Sequence, residues 1–387
     1  MKKKQDTLIV TAGRDPEANF GILNPPVYHA STILYPTLDA VRTRKQPFTY
    51  GRRGTPTTAA LQEAIAELEG GYRTLLTPSG LSAVTAALLA HLKTGDHLLM
   101  TDSAYEPSRH FCERVLKRYG VDVEYYNPCL GSDIAALIKP NTAVVFTESP
   151  GSVTFEVQDI PAISKAAHKA GAIVMIDNTW ASPLYFKPFE HGVDVSIQAV
   201  TKYLCGHSDV MMGAITTTEA AWRDTVASHG ANGLCAGPDD VYLVLRGIRT
   251  LSVRLARHME TGLKLARWLA ARPEVARVIH PALPSHPGHA LWKRDFTGAS
   301  GLFSIELKPA SEAALAAMLD GLELFGMGYS WGGFESLIIP QDPAKIRTAT
   351  KWEAQGPMLR LHAGLEDPDD LIADLDAGFE RLRACNE

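Results

Sequence analysis

The chain has 387 residues, 45% of them hydrophobic and 21% charged, with a formal charge of −5 from 38 basic and 43 acidic side chains. That length exceeds one ordinary core and predicts two or three domains. Scattered basic residues exclude a nucleic-acid stripe, and no apolar run approaches the roughly 18 residues of a membrane helix. The start, MKKKQDTLIVTAGRDPE, is basic but has no apolar stretch long enough for a signal peptide, so a cytoplasmic protein is expected. Five cysteines, Cys112, Cys129, Cys205, Cys235 and Cys385, are odd in number and form no CxxC pair, which reads as reduced structural thiols. The histidines are dispersed, and His280, His286 and His289 sit in the Pro-rich stretch HPALPSHPGH, so no metal site is expected.

In chain order, residues 1–54 read as an extended, irregular arm rich in Pro and turn formers, as in GILNPPVYHAST. At Thr57 the pattern becomes helical: TPTTAALQEAIAELEGG has a Thr cap, helical apolar spacing and a Gly-Gly stop. TLLTPSG then leads into a helix, LSAVTAALLAHLKTGD. Short apolar runs follow (HLLM, VDVEYY, AVVFTES, AIVMIDN and VDVSIQAV), alternating with helical stretches such as EPSRHFCERVLKRYG and IPAISKAAHKAG. Strand–helix alternation predicts a mostly parallel sheet with helices on both faces, an α/β fold. A long helical region is expected over about 238–271, and then a smaller α+β domain containing GLFSIEL, a helix from about Ser311, SWGGFESLII, MLRLHAG and a last helix. The expected division is an arm over 1–54, a large domain over 55–248 and a C-terminal domain over 249–387.

Ligands of open α/β sheets bind beyond the carboxyl ends of the strands, and unusual residues fall there. Asp177 closes the run AIVMI, costly for a carboxylate without a positive partner. Gly80 and Leu81 open a helix after TPSG and offer free N–H groups to an anion. Lys202 follows SIQAVT. Each has a plainer reading: a snorkelling surface lysine, a helix-capping aspartate, a glycine serving a turn. Together, in the order phosphate loop, Asp, Lys, they point to pyridoxal 5′-phosphate (PLP): a Schiff-base lysine, a carboxylate holding the ring nitrogen protonated and a helix start for the phosphate.

The motifs YGRRGTPT, PSGLSAV, YEPSRHFC, ESPGSVTFEV, IDNTW, SIQAVTKYLCGHSDVMMG, YSWGGFESL and LRLHAGLEDPDDLIADL, spread over about 7–380, resemble the Cys/Met-metabolism family of PLP enzymes, and within it the bacterial cystathionine β-lyase branch. The resemblance implies the PLP-dependent transferase fold of the aspartate aminotransferase type. It makes Lys202 the Schiff-base lysine and proton carrier at Cα, with Tyr105 stacked on the cofactor ring and Asp177 on the ring nitrogen. Gly80, Leu81 and Thr201 would contact the phosphate. Tyr50 and Arg52 of the arm would reach a neighbouring subunit's phosphate, and Tyr50 is counted with Lys202 and Tyr105 among the catalytic residues. Arg360 would grip the substrate α-carboxylate by a bidentate fork, while Tyr329, Ser330 and Trp331 shape the substrate side. Taken alone, Tyr105 also reads as a core tyrosine, YGRR as a solvated basic turn and Arg360 as a surface ion-pair partner. His207 is expected to make a structural hydrogen bond and Trp180 to pack beneath the site.

Ala199 stands three residues before Lys202, where γ-lyases and γ-synthases of the family usually carry serine, so the phosphate has one hydroxyl donor fewer. This and YSWGG favour the β-lyase branch. The implied reaction is α,β-elimination from L-cystathionine or other cysteine S-conjugates, giving L-homocysteine, pyruvate and ammonia in methionine biosynthesis, by a homotetramer made of two active dimers. The rivals are a γ-synthase, γ-lyase or methionine γ-lyase of the same fold, and a non-catalytic regulatory protein that keeps it.

Overall fold

Alternation of apolar side chains between two faces builds the large sheet. Leu98 and Met100 turn to one side and Leu99 to the other; Val144 and Phe146 oppose Val145, and Met175 opposes Val174 and Ile176. A strand covered on both faces reads as a continuous apolar run. The computed structural model describes residues 3–386. Its seven-stranded sheet comprises β1 (Arg73–Thr77), β2 (His97–Thr101), β3 (Asp122–Tyr126), β4 (Thr142–Glu148), β5 (Ile173–Asp177), β6 (Val195–Ala199) and β7 (Gly213–Thr217), in the spatial order β1-β7-β6-β5-β4-β2-β3. Strands β2 to β6 pair in parallel, whereas β7 runs antiparallel to both β1 and β6. Helix Gly80–His91 covers one face with Ala83, Val84 and Leu88, and helix Ile160–Lys169 covers the other with Ile160, Ile163 and Ala167.

The second sheet is antiparallel, with β8 (Val275–Ile279), β9 (Leu302–Leu307), β10 (Leu337–Gln341) and β11 (Met358–His362) in the order β10-β11-β9-β8. Phe303, Ile305, Leu359 and Leu361 face helices Glu312–Asp320 and Pro368–Asn386, meeting Leu315, Met318, Leu371 and Phe379. The period of two turns Arg360 to the opposite face, toward the large sheet.

Local chemistry sets the boundaries. Helix Pro56–Glu69 has a reciprocal cap between Thr55 and Thr58, proline at its first position and Gly70 at φ 75° as its stop. Residues 1–54 depart from the expected irregular arm: Gln5–Thr11 and Leu38–Thr43 are helical. The first helix docks on its own chain, with Ile9 buried and the Arg249 guanidinium donating to the carbonyls of Ile9 and Ala12 at 2.8 and 2.9 Å. The expected long helix is two, Pro238–Ile248 and Leu251–Ala270. The second reaches from the large domain's core, through Leu251 and Leu255, into the small domain's, through Leu265 and Leu269. No helix among the described residues is long and apolar enough to cross a membrane.

Candidate functional site

Strand polarity gathers the site. Because β7 is antiparallel to both neighbours, β1 and β6 run parallel to each other, and their ends, Thr77 and Ala199, both pair with Gly213. The helix start after β1 is thereby set against the end of β6. Gly80 tolerates no side chain there: a Cβ would stand 2.6 Å from Ala199 Cβ. Ser79 caps the helix by accepting the Ser82 N–H at 3.1 Å. The N–H groups of Gly80 and Leu81 find no acceptor among the described residues, which leaves an anion cradle of main-chain donors.

Asp177 ends β5 beside this cradle. Its Oδ1 accepts both the N–H of Thr179 at 3.0 Å and the Thr179 hydroxyl at 2.5 Å, while Oδ2 takes no hydrogen bond among the described residues. Thr179 Oγ1 in turn accepts the Ala199 N–H at 2.9 Å, tying the ends of β5 and β6 together. Burial raises the Asp177 carboxyl above its ordinary range, and the Thr179 donors and the Lys202 amine pull it back. An acid in this state matches a cationic N–H presented at Oδ2.

Lys202 lies in the turn after β6. Its Nζ donates to Ser330 Oγ at 2.7 Å and stands 5.1 Å from the Trp331 ring centre. Burial pushes the amine down to about 8; the Arg360 guanidinium adds to this and Asp177 opposes it. Thr201 is occupied by Met212, donating to its carbonyl at 3.2 Å and accepting its N–H at 2.9 Å. The segment carrying Ser330 arrives from the small domain. Gly332, at φ 84°, lies so close to Lys202 and Tyr203 that a Cβ would sit 3.0–3.1 Å from their backbones. Ser330 itself is held at φ 80°, a left-handed geometry costing a non-glycine residue about 1–3 kcal/mol. Arg360 NH2 donates to the Ser330 carbonyl at 3.2 Å, so one serine touches both cations.

Tyr105 follows β2 and accepts no cap role through its side chain. Burial raises its phenol; the nearby Asp177 and Glu148 carboxyl groups add to the rise and the Arg360 guanidinium opposes it. Tyr329 is 85% exposed at the rim of a small cleft that also holds Tyr105, Glu106, Arg347 and Arg360. The rim is pinned by Asp102, whose carboxylate accepts the N–H groups of Thr348, Ala349 and Thr350 as well as Arg109.

Lys202, Asp177, Tyr105, Arg360, Ser330 and Trp331 are thus brought together, with Gly80 and Leu81 beside them. Tyr50 and Arg52 are not. Arg52 donates to Gly230 O at 3.1 Å and lies 5.9 Å from the Tyr50 ring centre, and neither contacts Lys202 or Asp177 among the described residues. His207 hydrogen-bonds the Cys205 carbonyl at 2.7 Å. Trp180 donates to Leu302 O and packs edge-on against Phe296. Two residues were missed in the sequence, Thr179 and Glu148. Glu148 gives the same signal as Asp177, an acid closing an apolar run.

A half-buried strand-end acid, a half-buried lysine of depressed basicity and a main-chain anion cradle fit PLP: among the described residues nothing occupies Oδ2 of Asp177, which could take the ring nitrogen, or the N–H groups of Gly80 and Leu81, which could take the phosphate. The comparisons with known proteins agree. The family described as Cys/Met metabolism PLP-dependent enzyme matches residues 6–380, and the chain belongs to it. It is 48% identical to the cystathionine beta-lyase MetC of Escherichia coli K12 over 98% of this chain and 99% of that one. It is 49% identical, at the same coverage, to the cystathionine beta-lyase of Salmonella typhimurium. Its fold matches the crystal structure of cystathionine gamma synthase from Xanthomonas oryzae pv. oryzae in complex with cystathionine, with a TM-score of 0.91, 34% identity and full coverage of both chains.

Proposed function

We propose that this chain is a PLP-dependent carbon–sulfur lyase that cleaves L-cystathionine, or related cysteine S-conjugates, by α,β-elimination to L-homocysteine, pyruvate and ammonia. The observation that carries the reading is the placing of Lys202 Nζ and Arg360 on the two sides of Ser330, in a chain nearly half identical to cystathionine beta-lyases. When bound, PLP supplies the electron sink for the charge left at Cα.

The chain's own residues do the rest. Arg360 binds the substrate carboxylate through its planar fork and so fixes the direction of the Cα–H bond. Ser330 holds Lys202 Nζ on that side. An amine lowered to about 8 is substantially unprotonated in mildly alkaline solution and so takes the Cα proton at Nζ, and the same atom returns a proton to the departing sulfur. Asp177 would offer a negative charge at Oδ2 to the ring nitrogen, Tyr105 would cover the ring, and the N–H groups of Gly80 and Leu81 would hold the phosphate, whereas Thr201 gives both its hydroxyl and its N–H to the Met212 carbonyl. Tyr50 and Arg52 are assigned to the phosphate of a neighbouring subunit, consistent with their separation from their own chain's Lys202. The homotetramer and the cytoplasmic location implied by the family are part of this proposal.

Incubation of the purified protein with L-cystathionine and identification of the keto acid tests it. Pyruvate with homocysteine is expected. Appearance of 2-oxobutanoate and cysteine would instead assign γ-elimination.

A further inference from the structure

Glu148 closes β4 as Asp177 closes β5, and the two are register partners on neighbouring parallel strands. Side chains so paired share one face, and a buried carboxyl set beside a half-buried one is disfavoured from carrying charge as well. They are not equivalent. Asp177 has the two Thr179 donors and faces Lys202. Among the described residues the Glu148 carboxyl has one hydrogen bond, from the main-chain N–H of Tyr105 to its Oε2 at 2.8 Å. Glu148 is itself fastened from below: its carbonyl accepts Gln158 Nε2 at 2.8 Å, and Tyr126 donates to Gln158 Oε1 at 2.7 Å. The charged and titratable groups facing its carboxyl are Asp177 from β5, Tyr105 from the turn after β2, and Glu156 and Arg347 from the loops above. Arg347 is engaged by Glu156 at 2.8 Å and by Thr154, so it is not a dedicated counter-ion for Glu148.

We propose that Glu148 is a positioning residue of this site: as a neutral acid it clamps the Tyr105 main chain over the sheet end and leaves the charge of the acid pair on Asp177. Burial, followed by the nearness of Asp177, pushes the Glu148 carboxyl well above the ordinary carboxylate range, in keeping with that geometry. The importance of the clamp to the cofactor rests on the role proposed above for Tyr105; the clamp itself does not.

Glu148→Gln keeps a neutral oxygen acceptor of the same shape, and Glu148→Met fills the space without one. In cofactor-free protein, amide hydrogen exchange is read on the peptide spanning residues 103–108. Exchange within about threefold of wild type is expected for Glu148→Gln, and a local increase of about tenfold, the loss of one hydrogen bond, for Glu148→Met. In parallel, PLP affinity is read by visible circular dichroism. Glu148→Gln is expected near wild type, with Glu148→Met weakened about tenfold. Of the kcat/KM lost in Glu148→Met, Glu148→Gln is expected to recover most, as a neutral acceptor of the same shape should. Damage by Gln equal to that by Met would overturn the neutral acid, and unchanged local exchange in Glu148→Met would overturn the clamp. If wild type neither binds PLP nor cleaves cystathionine, the proposed function fails while the exchange comparison still decides the clamp. An increase spread over the whole chain rather than 103–108 also counts against it.

Discussion

Ile9 and Phe20 lie in one N-terminal segment, yet Ile9 is 1% exposed and Phe20 97%. The helix Gln5–Thr11 spends its apolar face on its own chain. Beyond Gly13 the chain carries Phe20, Ile22, Leu23, Leu34 and Leu38 into solvent, ending at Tyr50 and Arg52 away from Lys202. At the sheet ends the opposite holds, and polar side chains find partners at short range: Lys202 with Ser330, Asp177 with Thr179, Glu148 with Tyr105. Contiguous exposed apolar side chains mark an interaction surface. One half of the expected site is therefore finished within the chain, while the exposed apolar side chains of the arm suit the neighbouring-subunit role proposed for Tyr50 and Arg52.

Lys202→Ala breaks the finished half. It removes the proposed cofactor bond and the proton carrier together, so a loss of at least about a thousandfold in turnover is expected, since acid–base work alone contributes 10²–10⁴-fold. The same variant tests the arm. Arg52→Ala is expected to lose much activity while keeping Lys202. If the arm serves a neighbour, mixing and reassociating the two inactive variants yields hybrid dimers with one site intact in both residues. At random exchange that restores about a quarter of the wild-type sites. Exchange confirmed by mass with no activity recovered would place Arg52 outside the site.

Asp177→Asn keeps shape and removes charge. Loss of a preorganised electrostatic contact of this kind costs about 10²–10³-fold in kcat. A loss below threefold would transfer the role elsewhere, with Glu148 as the first suspect. Arg360 lies on the small-domain side of the finished half. Arg360→Lys retains a charge without the fork, and Arg360→Ala loses both. A drop of about ten- to a hundredfold in kcat/KM is expected for one charge-assisted bond, larger in Ala than in Lys, with PLP absorbance retained in both. Unchanged kinetics with cystathionine would move the carboxylate to another donor.

The same contrast explains what the sequence made legible. Of the five runs that became β2 to β6, β2 and β4 to β6 were plain because both their faces are covered, whereas the edge strand β3 showed itself by β-branched and aromatic residues, with Val123 and Tyr126 buried and Asp122 exposed. Strand β8, VARVI, went unnoticed, its middle residues 276–278 left only partly buried. The strand GAITT, no shorter than β2, β3, β5 or β6, has only Ile215 as a large apolar residue among Gly, Ala and Thr, so β7, the strand that reverses direction and brings β1 to β6, left little periodic trace. QDTLIVT is rich in β-branched residues and a poor helix by propensity; the Arg249 bonds to Ile9 and Ala12 override that, and they come from residues more than two hundred positions away. Lys202, Asp177 and Arg360 were legible as charges at the ends or centres of apolar runs. The Ser330 contact that joins Lys202 to Arg360 was not, because it depends on how the two domains meet, and local pattern carries no record of that.

The smallest effect concerns stability. In the cofactor-free protein, burial first and the Arg360 charge second lower the Lys202 amine from 10.5 to about 8. Unfolding releases it into water and restores the higher value. Between the two pH values the unfolded chain holds a proton that the folded chain has given up, so stability rises with pH across that window. Below about 8 both states hold the proton, and the cost of burying the cation is felt in full. Lys202→Met removes the titration while filling the same space. The apo variant is expected to be more stable than apo wild type below about pH 8, with the difference shrinking as pH approaches 10.5. Leu34→Ser in the arm removes no titrating group and is expected to show no such convergence. Urea midpoints measured on either side of about 8 and again near 10.5 check this. A Lys202→Met advantage that stays constant across the window would mean that folding leaves the amine unshifted, and would take away the proton acceptor on which the proposed elimination depends.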